Sequence, residues 1–167
     1  MNVCIQGIKG AFHEEAAIKH FGNDISISPQ LSFANIVSTI QQGKADSGMM
    51  AVENTISGTI HTNLYLIRES NLKIVGEEYL RIKQNLVALP GTTIDQLVQV
   101  SSHYMAINQC RSYFDLYPHI KLIESEDTAI IMKEIAEGEN INTGAIGSSL
   151  AAKFYGLEIL AEISGGR

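Results

Sequence analysis

Four short polar clusters in this sequence carry groups that can hold an oxygen-rich small molecule and move protons on it. They are Gly10-Ala11-Phe12, Glu53-Asn54-Thr55 with Ser57-Gly58 close behind, Ser102-His103 with Gln109, and Glu126-Asp127-Thr128. Amides and hydroxyls donate hydrogen bonds to oxygens, carboxylate and imidazole exchange protons, and glycine lets a ligand approach the backbone. Such a set suits carboxylate or phosphate binding and acid–base chemistry. The spacing argues against other chemistries. Ser102 and His103 are neighbours whose side chains diverge, which is wrong for a Ser-His nucleophilic pair. Gln109 follows Ser102 by seven residues, two helical turns along, and so projects from the same face as the Ser102-His103 end. "QGIKGA" has too few glycines for a dinucleotide fingerprint, and no Gly-Lys-Ser/Thr phosphate loop is present. The histidines at 13, 20, 61, 103 and 119 lack ligand spacing, so no metal site is expected.

Each cluster also has a plain structural reading. Ser57, Ser102, Asp127 and Thr128 are residue types that cap helices, and Gly10 and Gly58 are ordinary turn residues. Glu53-Asn54 is harder to explain that way. It directly follows an apolar, buried-looking run, where an unpaired acid would cost several kcal/mol.

The elements that position these clusters follow from hydrophobic periodicity. Strands are expected at 2–6, 24–28 and 47–52, alternating with helices at 11–22 and 32–43; this order implies parallel strands with right-handed crossovers. Residues 72–89 read as a long extended ribbon ending at the turn Pro90-Gly91. Beyond it come a strand at 97–102, a helix at 104–116, a strand at 120–125, a helix at 128–138, a strand at 143–147, a helix at 149–156 and an extended piece at 157–164. The reading is α/β: two small α/β lobes, the first about 1–78 plus a return segment about 157–167, the second about 79–156. Ligands collect at the carboxyl ends of parallel strands. A cleft between the lobes would gather all four clusters, two from each. Helix N-termini there leave backbone N–H groups without internal partners, and these bind anions without a lysine.

Composition narrows the partner. The 167 residues are 45% hydrophobic and 18% charged, with a net charge of −6 and no run of Lys and Arg. That balance argues against nucleic acid and against an anionic membrane surface. No apolar stretch reaches the roughly 20 residues a membrane span needs, and the N-terminus lacks a signal-peptide pattern. A cytoplasmic protein with a small-molecule partner is expected. Cys4 and Cys110 stand far apart without a C-x-x-C partner and read as small buried residues.

With these motifs assembled, the sequence resembles the prephenate dehydratase family. "QGIKGAFHEEAA" is similar to the family's opening strand, turn and helix, and "MAVENTISGTI" to its Glu-Asn-Ser/Thr-x-x-Gly segment. "IVGEEYLRIKQNLVALPG" resembles the linking ribbon, and "VSSHYMAINQC" the Ser-His-Pro-Gln-Ala-Leu-x-Gln-Cys motif, with Tyr104 and Met105 in place of Pro-Gln. "ESEDTA" and "GAIGSSLAAKFYGLEILAEIS" resemble the closing segments. The resemblance implies a periplasmic-binding-protein-like (type II) fold. It also implies an enzyme of phenylalanine biosynthesis that converts prephenate to phenylpyruvate, needs no cofactor or metal, and works as a homodimer or higher homo-oligomer.

By the same resemblance, Asn54, Ser102 and Gln109 would orient substrate oxygens and Glu53 would position Asn54 or handle a proton. Thr128 and the amides after Gly10 and Gly58 would grip carboxylates, with Ala11, Phe12, Thr55, Ser57 and His103 lining the site. The sequence ends at Arg167, before the family's Asn-x-Thr-Arg-Phe segment and its ACT regulatory domain. A chain of this extent is therefore expected to be weakly active or inactive and to lack phenylalanine feedback through such a domain. Two other readings remain: a small-molecule binding module of the same two-lobed architecture, and a relative that binds an aromatic keto acid or amino acid without turnover.

Overall fold

The computed structural model describes residues 1–55, 58–125 and 128–163, with the backbone alone at 128–130. The chain divides into two compact units, Met1–Leu80 and Arg81–Arg167.

In the first unit, β1 (Asn2–Gln6) is the middle strand of a three-stranded parallel sheet, between β2 (Ser26–Gln30) and β3 (Ser47–Met49). Successive β1 side chains serve opposite faces, as strand geometry requires. Val3 and Ile5 pack with Ala17 of α1 (Phe12–Phe21), whereas Cys4 packs with Ile36 of α2 (Phe33–Gln41). Gly48 permits the close seating of α2: a Cβ there would lie 2.5 Å from Ile36 Cγ2. The α2 cap is Ser32, whose Oγ accepts the Asn35 N–H at 3.2 Å.

Beyond β3 the structure departs from the expected strand at 47–52. The strand ends at Met49, and Glu53–Asn54 (β4) then pairs antiparallel with Gly58–Thr59 (β5) in a two-stranded hairpin before α3 (His61–Glu69). The apolar run Met49-Met50-Ala51-Val52 suggested a buried strand, but Val52 is 37% exposed. Residues 71–83 have no regular secondary structure.

The second unit is built on a mixed five-stranded sheet of order β10-β6-β9-β7-β8. Its strands are β6 (Gln84–Ala88), β7 (Gln99–Ser102), β8 (Lys121–Glu124), β9 (Thr143–Gly147) and β10 (Glu158–Ile163); its helices are α4 (Tyr104–Phe114), α5 (Thr128–Ala136) and α6 (Ser149–Tyr155). β7, β8 and β9 run parallel, while β6 is antiparallel to β9 and to β10. Leu86 and Ala88 join Ile107, Cys110 and Phe114 of α4 in one core, and Val87 joins Met132, Ile135 and Ala151 in another.

The expected return of residues 157–167 to the first unit is therefore corrected over the part described. β10 runs along β6, from Glu158 opposite Ala88 to Ile163 opposite Gln84. The reason is local. β6 is buried along its length, so its backbone groups need strand partners on both sides, and β10 supplies the side that β9 leaves. Residues 164–167, including the terminal Gly-Gly-Arg, lie outside the described residues.

Both cysteines are fully buried and unpaired. Burial raises the Cys4 thiol above its usual pKa and pushes Cys110 up to about 12. Neither thiol should react with a neutral disulfide reagent at pH 8 in the folded chain, and both should react after denaturation. A fast-reacting thiol in the native chain would contradict this packing. Among the described residues no helix is long and apolar enough to cross a membrane.

Candidate active site

In the second unit, the strand register places the polar groups at one edge of the sheet. Ser101 of β7 lies beside Ala145 of β9, and Asn85 of β6 lies opposite Gly147 at the end of β9. The start of antiparallel β6 and the carboxyl ends of β7 and β9 therefore share that edge. Gln84 (5% exposed), Asn85, Ser102 and Ser148, all buried, gather there. Buried polar groups survive by hydrogen bonding, and most of these do. Asn85 Nδ2 donates to Gly147 O at 3.0 Å, and Ser148 Oγ accepts the Ala151 N–H at 2.9 Å as the cap of α6.

Ser102 is fully buried, and its Oγ donates to Ile146 O at 2.9 Å, joining the ends of β7 and β9. In this arrangement the hydroxyl braces the sheet edge from which α4 departs and faces no solvent. The cap of α4 is His103, not Ser102: His103 Nδ1 accepts the Met105 N–H at 3.3 Å. A neutral imidazole held this way carries its proton on Nε2, and the residue is exposed. Gln109, on α4 and half-buried, accepts from Gln84 Nε2 through Oε1 at 3.1 Å. Gln109 thus meets the start of β6 through this bond.

In the first unit, Gly10 is buried with φ 87°, a left-handed backbone suited to glycine, at the turn after β1. Its N–H donates to Glu14 Oε2 at 2.7 Å, and the Ala11 N–H donates to Ile8 O. The entry to α1 therefore already carries a carboxylate of its own, which offsets the positive potential expected for gripping an anion. Ala11 caps the helix without a side-chain bond, and Phe12, half-buried, opens it.

Glu53 is exposed, so the burial cost assigned to it from the sequence does not arise; its strand is a hairpin edge rather than a continuation of the core. Asn54 is half-buried and lies opposite Gly58, whose φ of 71° fits glycine. Thr55 is exposed in the turn. Ser57, Glu126, Asp127 and the Thr128 side chain lie outside the described residues.

Three residues near these groups escaped the sequence reading. Asn63 of α3 is 2% exposed, and its Nδ2 donates to Ala51 O at 2.7 Å, tying the base of the Glu53–Asn54 hairpin to the helix. His13 makes a hydrogen bond with the Gln6 backbone at the carboxyl end of β1 and packs edge-on to Phe33 at 5.4 Å. Its burial lowers its pKa, the Gln6 bond opposes the shift, and the net effect favours a neutral imidazole. Gln84 sits within the stretch 72–89 that reads as an extended ribbon, where nothing in the pattern separates it from the other polar residues there.

Comparison with known proteins bears on this arrangement. The family model described as prephenate dehydratase matches residues 3–164. Arogenate dehydratase/prephenate dehydratase 1, chloroplastic, of Arabidopsis thaliana is 33% identical over 97% of this chain, which covers 41% of that protein. The chain thus spans about two fifths of that relative's length. The structure of prephenate dehydratase from Arthrobacter aurescens, in complex with L-Phe, superimposes with a TM-score of 0.89 at 27% identity, over all of this chain and 56% of that one. GqqA, described as a novel type of quorum quenching acylase, has a TM-score of 0.86 at 28% identity, over 99% of this chain and 60% of that one. A match over residues 3–164, nearly the whole chain, leads to one conclusion: the chain belongs to the prephenate dehydratase family.

Proposed function

We propose that this chain binds prephenate and converts it to phenylpyruvate, a step toward phenylalanine. The observation that carries the reading is the family match over residues 3–164. The side chains are compatible with it. Prephenate carries two carboxylates and a ring hydroxyl. As the ring carboxylate leaves as carbon dioxide, the electron pair of its C–C bond enters the ring. The ring C–O bond breaks in turn, and the hydroxide takes up a proton to leave as water. Aromatisation drives the reaction, so the protein's task is to hold a dianion and orient the two breaking bonds. In a chain of net charge −6, hydrogen-bond donors rather than a basic patch must meet that dianion. Asn54, Gln109 and His103 are the donors assigned to substrate oxygens, with Glu53 as the group for proton handling. Ser102 braces the ends of β7 and β9, and Asn63 the base of the Glu53–Asn54 hairpin.

The likeness to GqqA raises acyl cleavage as a second reading. It calls for an activated nucleophile, whereas the Ser102 proton is spent on the Ile146 carbonyl and its hydroxyl is enclosed. The family resemblance also carries a cytoplasmic homo-oligomer into the proposal. The position of β10 at the sheet edge, with Ile159 44% exposed, supports pairing between copies.

The test is phenylpyruvate release from prephenate by the chain, beside a no-protein control and a titration of prephenate binding. Release above the control supports the dehydratase. Binding without release supports the capture reading, and neither binding nor release sinks the assignment.

A further inference from the structure

Gln84 is an uneconomical residue for the place it occupies. It is 5% exposed at the start of β6, and one amide proton is used on Gln109 Oε1 at 3.1 Å. Its own Oε1 is buried with no hydrogen-bond partner among the described residues. A buried acceptor left unpaired is a net loss to folding, whereas an apolar side chain of the same shape is close to neutral or better. On stability alone a methionine would serve this position better. Residues that break such a rule cluster at functional sites.

The bond that Gln84 does make points to its use. A glutamine amide has an acceptor end and a donor end, and a neighbour that donates to the oxygen decides which way the group faces. With Oε1 held by Gln84, Gln109 turns its Nε2 protons away from β6. We propose that Gln84 is a positioning residue for the site: it locks the Gln109 amide so that Gln109 presents N–H donors, and so selects a ligand oxygen with lone pairs, such as a carboxylate. The inference rests on the reading of Gln109 given under the proposed function. Without Gln84, the Gln109 amide turns freely and offers its oxygen to an anion part of the time.

The experiment uses the whole chain as Gln84→Met, Gln109→Ala and the double variant, with prephenate as the probe. Three quantities are read: the midpoint of thermal unfolding, kcat/KM for phenylpyruvate formation, and the side-chain amide NMR signals of Gln109. The Gln109 signals are identified by their loss in Gln109→Ala. Gln84→Met is expected to unfold no earlier than the parent chain and still to lose about 10-fold in kcat/KM, the lower end of what loss of an orienting partner costs. In the Gln109→Ala background the same change is expected to have no further effect. The Gln109 amide pair, dispersed in the parent chain, is expected to collapse toward solvent-averaged shifts in Gln84→Met. A lower unfolding midpoint with unchanged kcat/KM would make Gln84 a packing residue and overturn the proposal. So would an equal loss in both backgrounds. If Gln109→Ala itself turns over normally, the role of Gln109 falls and this inference with it. If the parent chain shows no turnover, the NMR arm still decides whether Gln84 orients the Gln109 amide.

Discussion

Asn54→Ala and Gln109→Ala are each expected to lower kcat for phenylpyruvate formation by about 100-fold, the scale on which removal of one preorganised hydrogen-bond donor acts. The two residues reach that role from different supports. Asn54 is carried on a two-residue strand that pairs with Gly58–Thr59, and the hairpin base is fixed by the Asn63 bond to Ala51 O and the Ile60 N–H bond to Val52 O. Gln109 is carried on α4 and oriented from β6 by Gln84. A donor held in this way spends no reorganisation when charge shifts during bond breaking, so its loss falls on kcat. If its contacts were equally strong in the ground state, KM would rise instead. Steady-state rates on both variants distinguish these outcomes. Unchanged kinetics for both would move the site elsewhere. Circular dichroism should show the folded chain in each case, since neither side chain is wholly buried.

The second large effect concerns stability. Leu86→Ala is expected to cost about 2–5 kcal/mol, the range for emptying a leucine-sized site in a packed core. Leu86 is fully buried on β6, in the core it shares with Leu97, Val100, Ile107 and Ile146. That loss is a large share of the roughly 5–15 kcal/mol that holds a typical domain together. A partial remedy is built into the neighbouring strand. A Cβ at Gly144 would stand 3.1 Å from Leu86 Cδ1 and 3.2 Å from Leu97 Cδ1 and Val100 Cγ2, so Gly144→Ala alone crowds this core. In the Leu86→Ala background the same methyl group faces space rather than Leu86. The double variant should therefore be more stable than the sum of the single changes predicts, by about 0.5 kcal/mol or more. Urea unfolding of the four chains measures this. Strict additivity would mean that the core relaxes around Leu86→Ala and leaves no cavity to fill.

Hydrophobic periodicity alone was enough to order the main strands and helices. Strong apolar runs such as Val3-Cys4-Ile5 and Leu86-Val87-Ala88 become buried strands in any context that offers a core, and the helices between them follow from spacing and caps. The motif order likewise led to the family from the residues alone. What the sequence misread were places where a short polar or weakly apolar stretch had several local solutions of similar energy. Met50 to Val52 could extend a strand or leave it, and the pairing of Glu53–Asn54 with Gly58–Thr59 decided for a hairpin. Glu158 to Ile163 could serve either unit by its pattern, and the open side of β6 decided for the second.

The site shows the same division. Residue types announced which groups could act, but not which were already occupied. The Gly10 amide is held by Glu14, the Ser102 hydroxyl by Ile146, and the Gln109 oxygen by Gln84. Two of these partners lie 25 and 44 positions away along the chain. A hydrogen bond depends on distance and direction in space. For such pairs periodicity along the sequence carries no information, and only the folded chain settles which donors remain for a ligand.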